Sequence, residues 1–443
     1  MRHSPPGRGW RGGPALVVLV VALAGGTAGA QTAARAPAAV SVRLDNGLRL
    51  VFQPDPASPV VAVCAFVQAS AAQETLNASG VRELLQLMGE ETLLRPGEAE
   101  EEPPPAVELS GAVSRDYVES VALCLPEDFA GALRRLRKTL FEPYFSEEAF
   151  RYAQERLGQE IMARGAEPGA VAQDAVVARL YPQWPGSWPL VGAGAATWIG
   201  REFAEDFHAR HYLSNNTLLS VCGALDWATV RAQVEQSFGN LLPGARTELV
   251  TPVLGATPLT EPLELSMAGA RISAVAMGAR GPDLGEEDYP ATSVLMAVLG
   301  NGRGSRLYRR LREQENASYV IQAGVTPSRV CPYAYLMASC QGDQVGAVRA
   351  AMAEELARLG EAAPGEAEVA RARRVLVGQY QLQQQEASQM AHYLGLFALL
   401  GKTPDPQRWQ ALTTRLSAVR PEQVLAAAQK YLSQAITVVV RGE

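Results

Sequence analysis

At 443 residues, 47% of them hydrophobic and 19% charged, the chain has the composition of a globular protein and the length for two sizeable cores. A formal charge of −6, with no run of Lys and Arg interleaved with aromatics, excludes the electrostatic footprint of a nucleic-acid binder. Five cysteines are too sparse and odd a set for a disulfide framework. Cys64, Cys124 and Cys222 lie in apolar, strand-like runs and read as small core residues, whereas Cys331 and Cys340 could meet across a hairpin.

In chain order, residues 1–30 read as a secretory signal. Arg2, Arg8 and Arg11 precede an apolar run from Ala15 to Ala24, and Ala28-Gly29-Ala30 offers small residues for cleavage. A retained anchor is the alternative; no Cys follows the run to carry a lipid. The expectation is a secreted chain, periplasmic in a diderm bacterium. Beyond the signal no stretch of about eighteen apolar residues occurs, so no membrane span is expected in the mature chain.

Residues 31–39 read as a flexible leader, and the first domain is expected over 40–242. It opens with Val42–Leu50, alternating and broken by an Asn46-Gly47 turn, and the buried strand Val60–Val67. A helix follows from Gly80 to Leu94, then an acidic, proline-terminated surface loop over 95–105. Ala112–Leu125 reads as two strands around a turn, and Glu127–Leu140 as an amphipathic helix with Phe129, Leu133, Leu136 and Leu140 on one face. Ser146 caps a helix reaching about Ala163, with Glu147 and Glu148 in its first turn. Tyr181–Trp198 reads as a loop packed by its aromatics, Glu202–Tyr212 as a helix and Thr217–Ala224 as a strand.

After a Pro- and Thr-rich link over 243–262, the order repeats over 263–443. Tyr212-Leu213-Ser214 returns as Tyr431-Leu432-Ser433, each followed by an apolar strand, and the Ser146 helix returns as one long helix from Gly365 to about Ser388. Leu123–Asp128 is echoed by Ala338–Asp343. Two copies of one α/β unit follow, an α+β protein of two homologous sandwich domains with mixed or antiparallel sheets and helices packed on one face.

The layout of strand, hairpin, strand and a helix opening after Ser79-Gly80 resembles the pitrilysin/insulinase family of metallopeptidases, to which processing peptidases belong. There this helix carries H-x-x-E-H, two His holding zinc and a Glu acting as general base. On this sequence the His positions fall on Glu83 and Leu87, and the Glu on Gln86. Gln86 cannot take a proton from water and Leu87 has no lone pair. The family's third ligand, a Glu about 75 residues on, matches Glu160. The resemblance therefore implies a member without zinc hydrolysis of its own, with no cofactor in this chain.

The second copy keeps Leu299-Gly300-Asn301-Gly302-Arg303-Gly304-Ser305-Arg306-Leu307, then Leu311-Arg312-Glu313 and Tyr319. This resembles the family's C-terminal signature, whose Arg and Tyr reach towards substrate at the zinc site of an opposing domain; they match Arg312 and Tyr319. A guanidinium and a phenol in a dry cleft can stabilise the charge that develops on an attacked carbonyl. Spacing alone also allows Arg312 to pair with Glu315 while Tyr319 packs. The three alternate glycines lack the Lys-Ser/Thr of a phosphate loop and suit a tight turn. His208 and His211 stand one helical turn apart with no third ligand nearby, His392 is isolated, and Glu155 with Glu160 reads as a helix face.

The resemblance implies a secreted, zinc-less subunit that joins a zinc-bearing relative to form one endopeptidase acting on unfolded peptides, inactive alone and contributing Arg312 and Tyr319. The alternative is a structural or peptide-binding scaffold with no part in proteolysis. Residual hydrolysis at Glu83 and Glu160 would require a borrowed metal, and two carboxylates without imidazole suit Mg or Ca.

Overall fold

The computed structural model describes residues 38–94, 105–190, 192, 194–247, 250–252, 258–400 and 408–443. The secretory signal, most of the leader and nearly all of the acidic loop lie outside the described residues, as does part of the link. In chain order the first half has β1 (Val40–Arg43), β2 (Arg49–Pro54), β3 (Val61–Val67), α1 (Val81–Leu94), β4 (Val107–Val113), β5 (Val118–Cys124), α2 (Phe129–Phe141), α3 (Glu147–Gly165), α4 (Pro168–Leu180), α5 (Ala195–Trp198), α6 (Arg201–His211), β6 (Thr217–Gly223) and α7 (Trp227–Phe238). The second has β7 (Leu263–Met267), β8 (Ser273–Arg280), α8 (Tyr289–Gly300), a π-helical turn at Tyr308–Gln314, β9 (Val320–Val325), β10 (Tyr333–Cys340), α9 (Val345–Glu361), α10 (Glu366–Gln383), α11 (Ala387–Leu400), α12 (Arg408–Ser417), α13 (Pro421–Tyr431) and β11 (Ile436–Gly442).

The two sheets repeat one topology. The first runs β1-β2-β6-β3-β5-β4 and the second β7-β11-β8-β10-β9, so each strand of the second has a counterpart in the first and β1 is an addition. The β2–β6 and β7–β11 pairs are parallel, and the other pairings are antiparallel. The expected pair of α/β sandwiches with mixed sheets is thus the observed architecture. On one face of the first sheet, Val61, Val63, Ala65 and Val67 meet the half's own helices; Leu84, Met88, Phe129, Leu133 and Leu136 are fully buried there.

The other face of each sheet is covered by one helix lent from the opposite half. α11 lies on β3 and β6, where Cys64, Phe66, Leu218 and Cys222 share its core. α4 lies on β8 and β11 through Val176, Val177 and Leu180. Each loan uses a glycine for close approach. A Cβ on Gly395 of α11 would collide with the Phe66 ring, and one on Gly278 of β8 with Val176 of α4. The seam also holds Glu119, 2.8 Å from Nδ1 of His392, and Asp116, which accepts from Ser328 Oγ and Arg329 N at 2.8 Å each. Arg49 Nη1 donates to Ala398 O at 3.1 Å.

Several boundaries differ from the sequence reading. The helix expected from Gly365 to Ser388 is α10, which stops at Gln383; α11 is a separate helix from Ala387, buried throughout its apolar second half, Leu394–Leu400. His392 is not isolated, because Glu119 lies 2.8 Å from its Nδ1. α4 and α7 were not anticipated, and β4 begins at Val107, ahead of the expected Ala112. Within Tyr181–Trp198, Tyr181 and Trp184 are buried but Trp198 stays 65% exposed. By chain order the counterpart of α1 is α8, which ends before the Arg312 segment begins. Cys331 and Cys340 are free thiols on opposite faces of the second sheet, in separate cores.

Candidate functional site

The emptied zinc helix is α1, packed along α3. Its N-terminus is fixed by a buried ion pair. Glu74 Oε1 accepts from Arg82 Nε at 2.9 Å, and the same carboxylate takes the backbone N–H groups of Gly80 and Arg82 at 3.3 and 3.4 Å. It thus satisfies donors that every helix start leaves open. Glu83 turns towards α3 with Oε2 buried and without a partner. Burial pushes its pKa up to about 8; Arg82 opposes the rise, and Glu74 and Glu160 add to it. Glu160 lies on the exposed face of α3, its pKa also raised, by partial burial and then by Glu90 against the pull of Arg156.

The remaining positions hold no donors for a metal. Leu87 is buried in the first half's core, and the Gln86 carboxamide lies against Gly111 of β4, where only a hydrogen on the strand leaves it room. Two carboxyls, one of them protonated through neutral pH, do not fit catalytic zinc, which takes three protein ligands and an open position. Among the described residues no group of three or more His, Cys, Asp or Glu is placed to hold a metal ion.

Arg312 and Tyr319 stand on a different device. After α8, Gly302 takes φ +83°, a left-handed conformation suited to glycine, and the chain re-enters a helix at Arg306. Arg306 grips Glu368 with two hydrogen bonds of 2.8 and 2.9 Å. Arg310 meets Glu315 at 2.9 Å and Glu354 at 2.8 Å. Leu311, fully buried, accepts from the backbone of Ala317 at 2.7 Å and Ser318 at 3.2 Å, which reverses the chain onto β9. Ser318 Oγ then donates to Ser339 O at 2.8 Å and anchors the strand entry.

Within this scaffold Arg312 has no carboxylate. Its guanidinium stacks 3.8 Å from the centroid of the Tyr319 ring, and its Nη1 is buried without a hydrogen-bond partner. Glu315, the partner that spacing allowed, is taken by Arg310. Tyr319 is 65% exposed, and its hydroxyl donates to Asn316 Oδ1 at 3.3 Å. Asn316, at φ +50°, was missed by the sequence reading; its signal was an Asn between a helix end and a strand entry, where Asn tolerates the left-handed region. The arrangement presents a cation and a phenol hydroxyl side by side, held by packing, with no carboxylate on the cation among the described residues.

The two histidines of α6 serve packing. His208 Nε2 lies 2.8 Å from Leu140 O between Phe145 and Tyr212, and burial lowers its pKa. His211 packs on Phe207 with the rings tilted by 45°, and its pKa is lowered to about 4 by burial and then by Arg210 and Arg82.

The described residues thus combine a two-sheet α/β fold, a helix without a set of metal donors in one half and a stacked Arg/Tyr pair in the other. Residues 199–376 match the family described as "Peptidase M16 inactive domain". An uncharacterized zinc protease of Mycobacterium bovis is 28% identical over 169 residues, 38% of this chain and 39% of that protein. The chain thus spans about two fifths of the length of the first curated relatives it matches. A protease from Helicobacter pylori has the same fold at TM-score 0.82 and 16% identity, covering 91% of this chain and 100% of that one. A peptidase M16 inactive domain from Pseudomonas fluorescens follows at TM-score 0.80 and 18% identity, covering 91% and 98%. Over residues 199–376 the chain is similar to that family, and its fold is that of the solved M16-type structures.

Proposed function

We propose that this chain is the zinc-less subunit of an exported insulinase-type endopeptidase, periplasmic in a diderm cell, which acts when paired with a zinc-bearing relative. The observation that carries this reading is the state of Arg312. Its neighbours Arg306 and Arg310 are each ion-paired with glutamates, while Arg312 has no carboxylate among the described residues and is held on the exposed Tyr319; Nη1 of Arg310 and Nη1 of Arg312 are both buried without a hydrogen-bond partner. A buried donor left open costs free energy unless something arrives to use it. In the paired assembly Arg312 and the Tyr319 hydroxyl face the scissile carbonyl and donate to the oxygen on which charge develops. Unfolded peptide adds to a sheet edge; β4, the last strand of the first sheet among the described residues, is such an edge.

The test is reconstitution with an exported relative that carries an intact H-x-x-E-H, sought first among neighbouring genes. The mixture should cleave a fluorogenic peptide that neither chain cleaves alone. Arg312→Ala should lower kcat by about 10²–10³-fold and Tyr319→Phe by about tenfold, with KM nearly unchanged. Equal rates for wild type and both variants would overturn the assignment. That result would favour the scaffold reading, for which the mutual stacking of Arg312 and Tyr319 is the supporting observation.

A further inference from the structure

The outermost strand of a sheet leaves half of its backbone N–H and C=O groups without a strand to meet, and folded proteins guard such edges, most simply with a charge. Among the described residues the two sheets end in β1 and β4, and in β7 and β9. β1 carries Arg43, β4 carries Glu108, and β7 carries Glu264, which Arg349 and Arg441 hold at 3.0 and 3.2 Å. β9, Val-Ile-Gln-Ala-Gly-Val, has neither a charge nor a proline. It is also the edge that begins at the residue after Tyr319.

The hydrogen bonding at the far end of β9 fixes which of its groups are open. Thr326 N donates to Tyr333 O at 2.9 Å, and antiparallel pairing alternates, so Gly324, Gln322 and Val320 direct their backbone groups at Tyr335, Met337 and Ser339 of β10. The N–H and C=O of Ile321, Ala323 and Val325 therefore point away from the sheet. Their side chains pack against the core that holds α8, which fixes this row in place.

The opposite face of β9 supplies a side-chain contact. Gly324 has no side chain, and the Tyr335 ring lies across it: a Cβ on Gly324 would stand 3.2 Å from the Tyr335 hydroxyl oxygen. Tyr335 is half-buried, and its hydroxyl has no hydrogen-bond partner among the described residues. Met337, paired with the exposed Gln322, continues the same shelf. A residue placed opposite Gly324 by an incoming antiparallel strand falls in the closer kind of pair, with Cα atoms about 4.5 Å apart. Its side chain has the room that glycine leaves, and an aromatic surface at the end of that room.

We infer that β9 is the edge on which this chain binds extended peptide, and that Gly324 and Tyr335 select an aromatic side chain on it. The inference rests on the proposed function at one point, that this peptide is the substrate whose scissile bond reaches Tyr319. Gly324 lies five residues beyond Tyr319, about 17 Å of strand, so the selected side chain is about five positions from that bond. β4 is an edge of the same kind, but a guarded one.

The probe is a fluorescein-labelled synthetic nonapeptide, alternating Thr and Ser around a central Phe, titrated into the full-length protein with polarisation readout. A second probe has Ala in place of Phe. A Kd of about 0.1 mM is expected for the first, because a few strand hydrogen bonds only just exceed the cost of ordering the peptide. The second should bind about three- to tenfold more weakly. Tyr335→Leu should bring the two probes to the same affinity. Ala323→Pro removes an outward N–H and should weaken both by about tenfold or more. N-methylation of alternate probe residues asks the same question with the protein untouched: one alternation should abolish binding and the other preserve it. No binding at about 1 mM, equal affinity of the two probes for wild type, or indifference to both Ala323→Pro and N-methylation overturns the inference. Self-association of the free protein that Ala323→Pro relieves would assign the edge to a second copy and equally reject it. None of these readings needs a zinc-bearing partner. Phe-selective binding without reconstituted cleavage therefore upholds β9 and rejects the proposed function, and Arg312-dependent cleavage without such binding does the reverse.

Discussion

The two halves share a strand order and an exchanged helix, yet each helix corresponding to the family's metal helix begins differently. α1 starts on a buried pair, Glu74 and Arg82, both essentially inaccessible. α8 starts at Asp288, whose carboxylate meets Lys430 Nζ at 2.6 Å and Tyr431 OH at 3.0 Å in a solvent-exposed cluster. The free edges also differ: β4 carries Glu108 in one half, and its counterpart β9 in the other carries no charge. Duplication has preserved what the sheet needs, pairing and two covered faces, and has let the rims diverge. The chemistry differs with the rims: among the described residues α1 carries no set of metal donors, and the second half holds on a pinned turn an arginine without a carboxylate.

Substitutions that treat the halves alike should separate them. The largest effect is expected at Glu74→Ala, which leaves Arg82 buried and unpaired; chemical denaturation should show a loss of about 3–5 kcal/mol. Next is Glu83→Gln. The folded pKa of Glu83 is raised to about 8 from an ordinary 4.5, so the folded state holds a proton that the unfolded chain releases. Stability is therefore unaffected at pH 4 and falls as pH rises towards 8. Glu83→Gln removes that dependence and should exceed wild type by about 4 kcal/mol at pH 8 while matching it at pH 4; parallel pH profiles would contradict the burial assigned to Glu83.

Gly395→Ala forces a methyl into the Phe66 ring and should cost about 1–3 kcal/mol. Gly278→Ala at the reciprocal loan should cost a similar amount, and a large inequality would mean that the two lent helices are not equivalent. Smallest is Lys430→Ala, at most about 0.5 kcal/mol, because an exposed pair is screened by water. A cost at Lys430 rivalling that at Glu74 would erase the contrast between the helix starts.

How much of this was legible beforehand depended on the range of the interaction. Strand alternation, the Ser146 cap, the repeat of Tyr-Leu-Ser before a strand, the loss of donors at Gln86 and Leu87, and the spacing of Arg312 and Tyr319 are local patterns, readable because side-chain chemistry and backbone periodicity act over a few residues. They determined the two α/β units and the emptied helix. The break between α10 and α11, the helices exchanged across the sheets and the Glu119–His392 contact depend on residues up to hundreds of positions apart. So does the freedom of Arg312, since it turns on which arginines Glu315, Glu354 and Glu368 choose. Only packing could decide these, because burial and ion pairing are settled by what lies across the fold and not by what lies next along the chain.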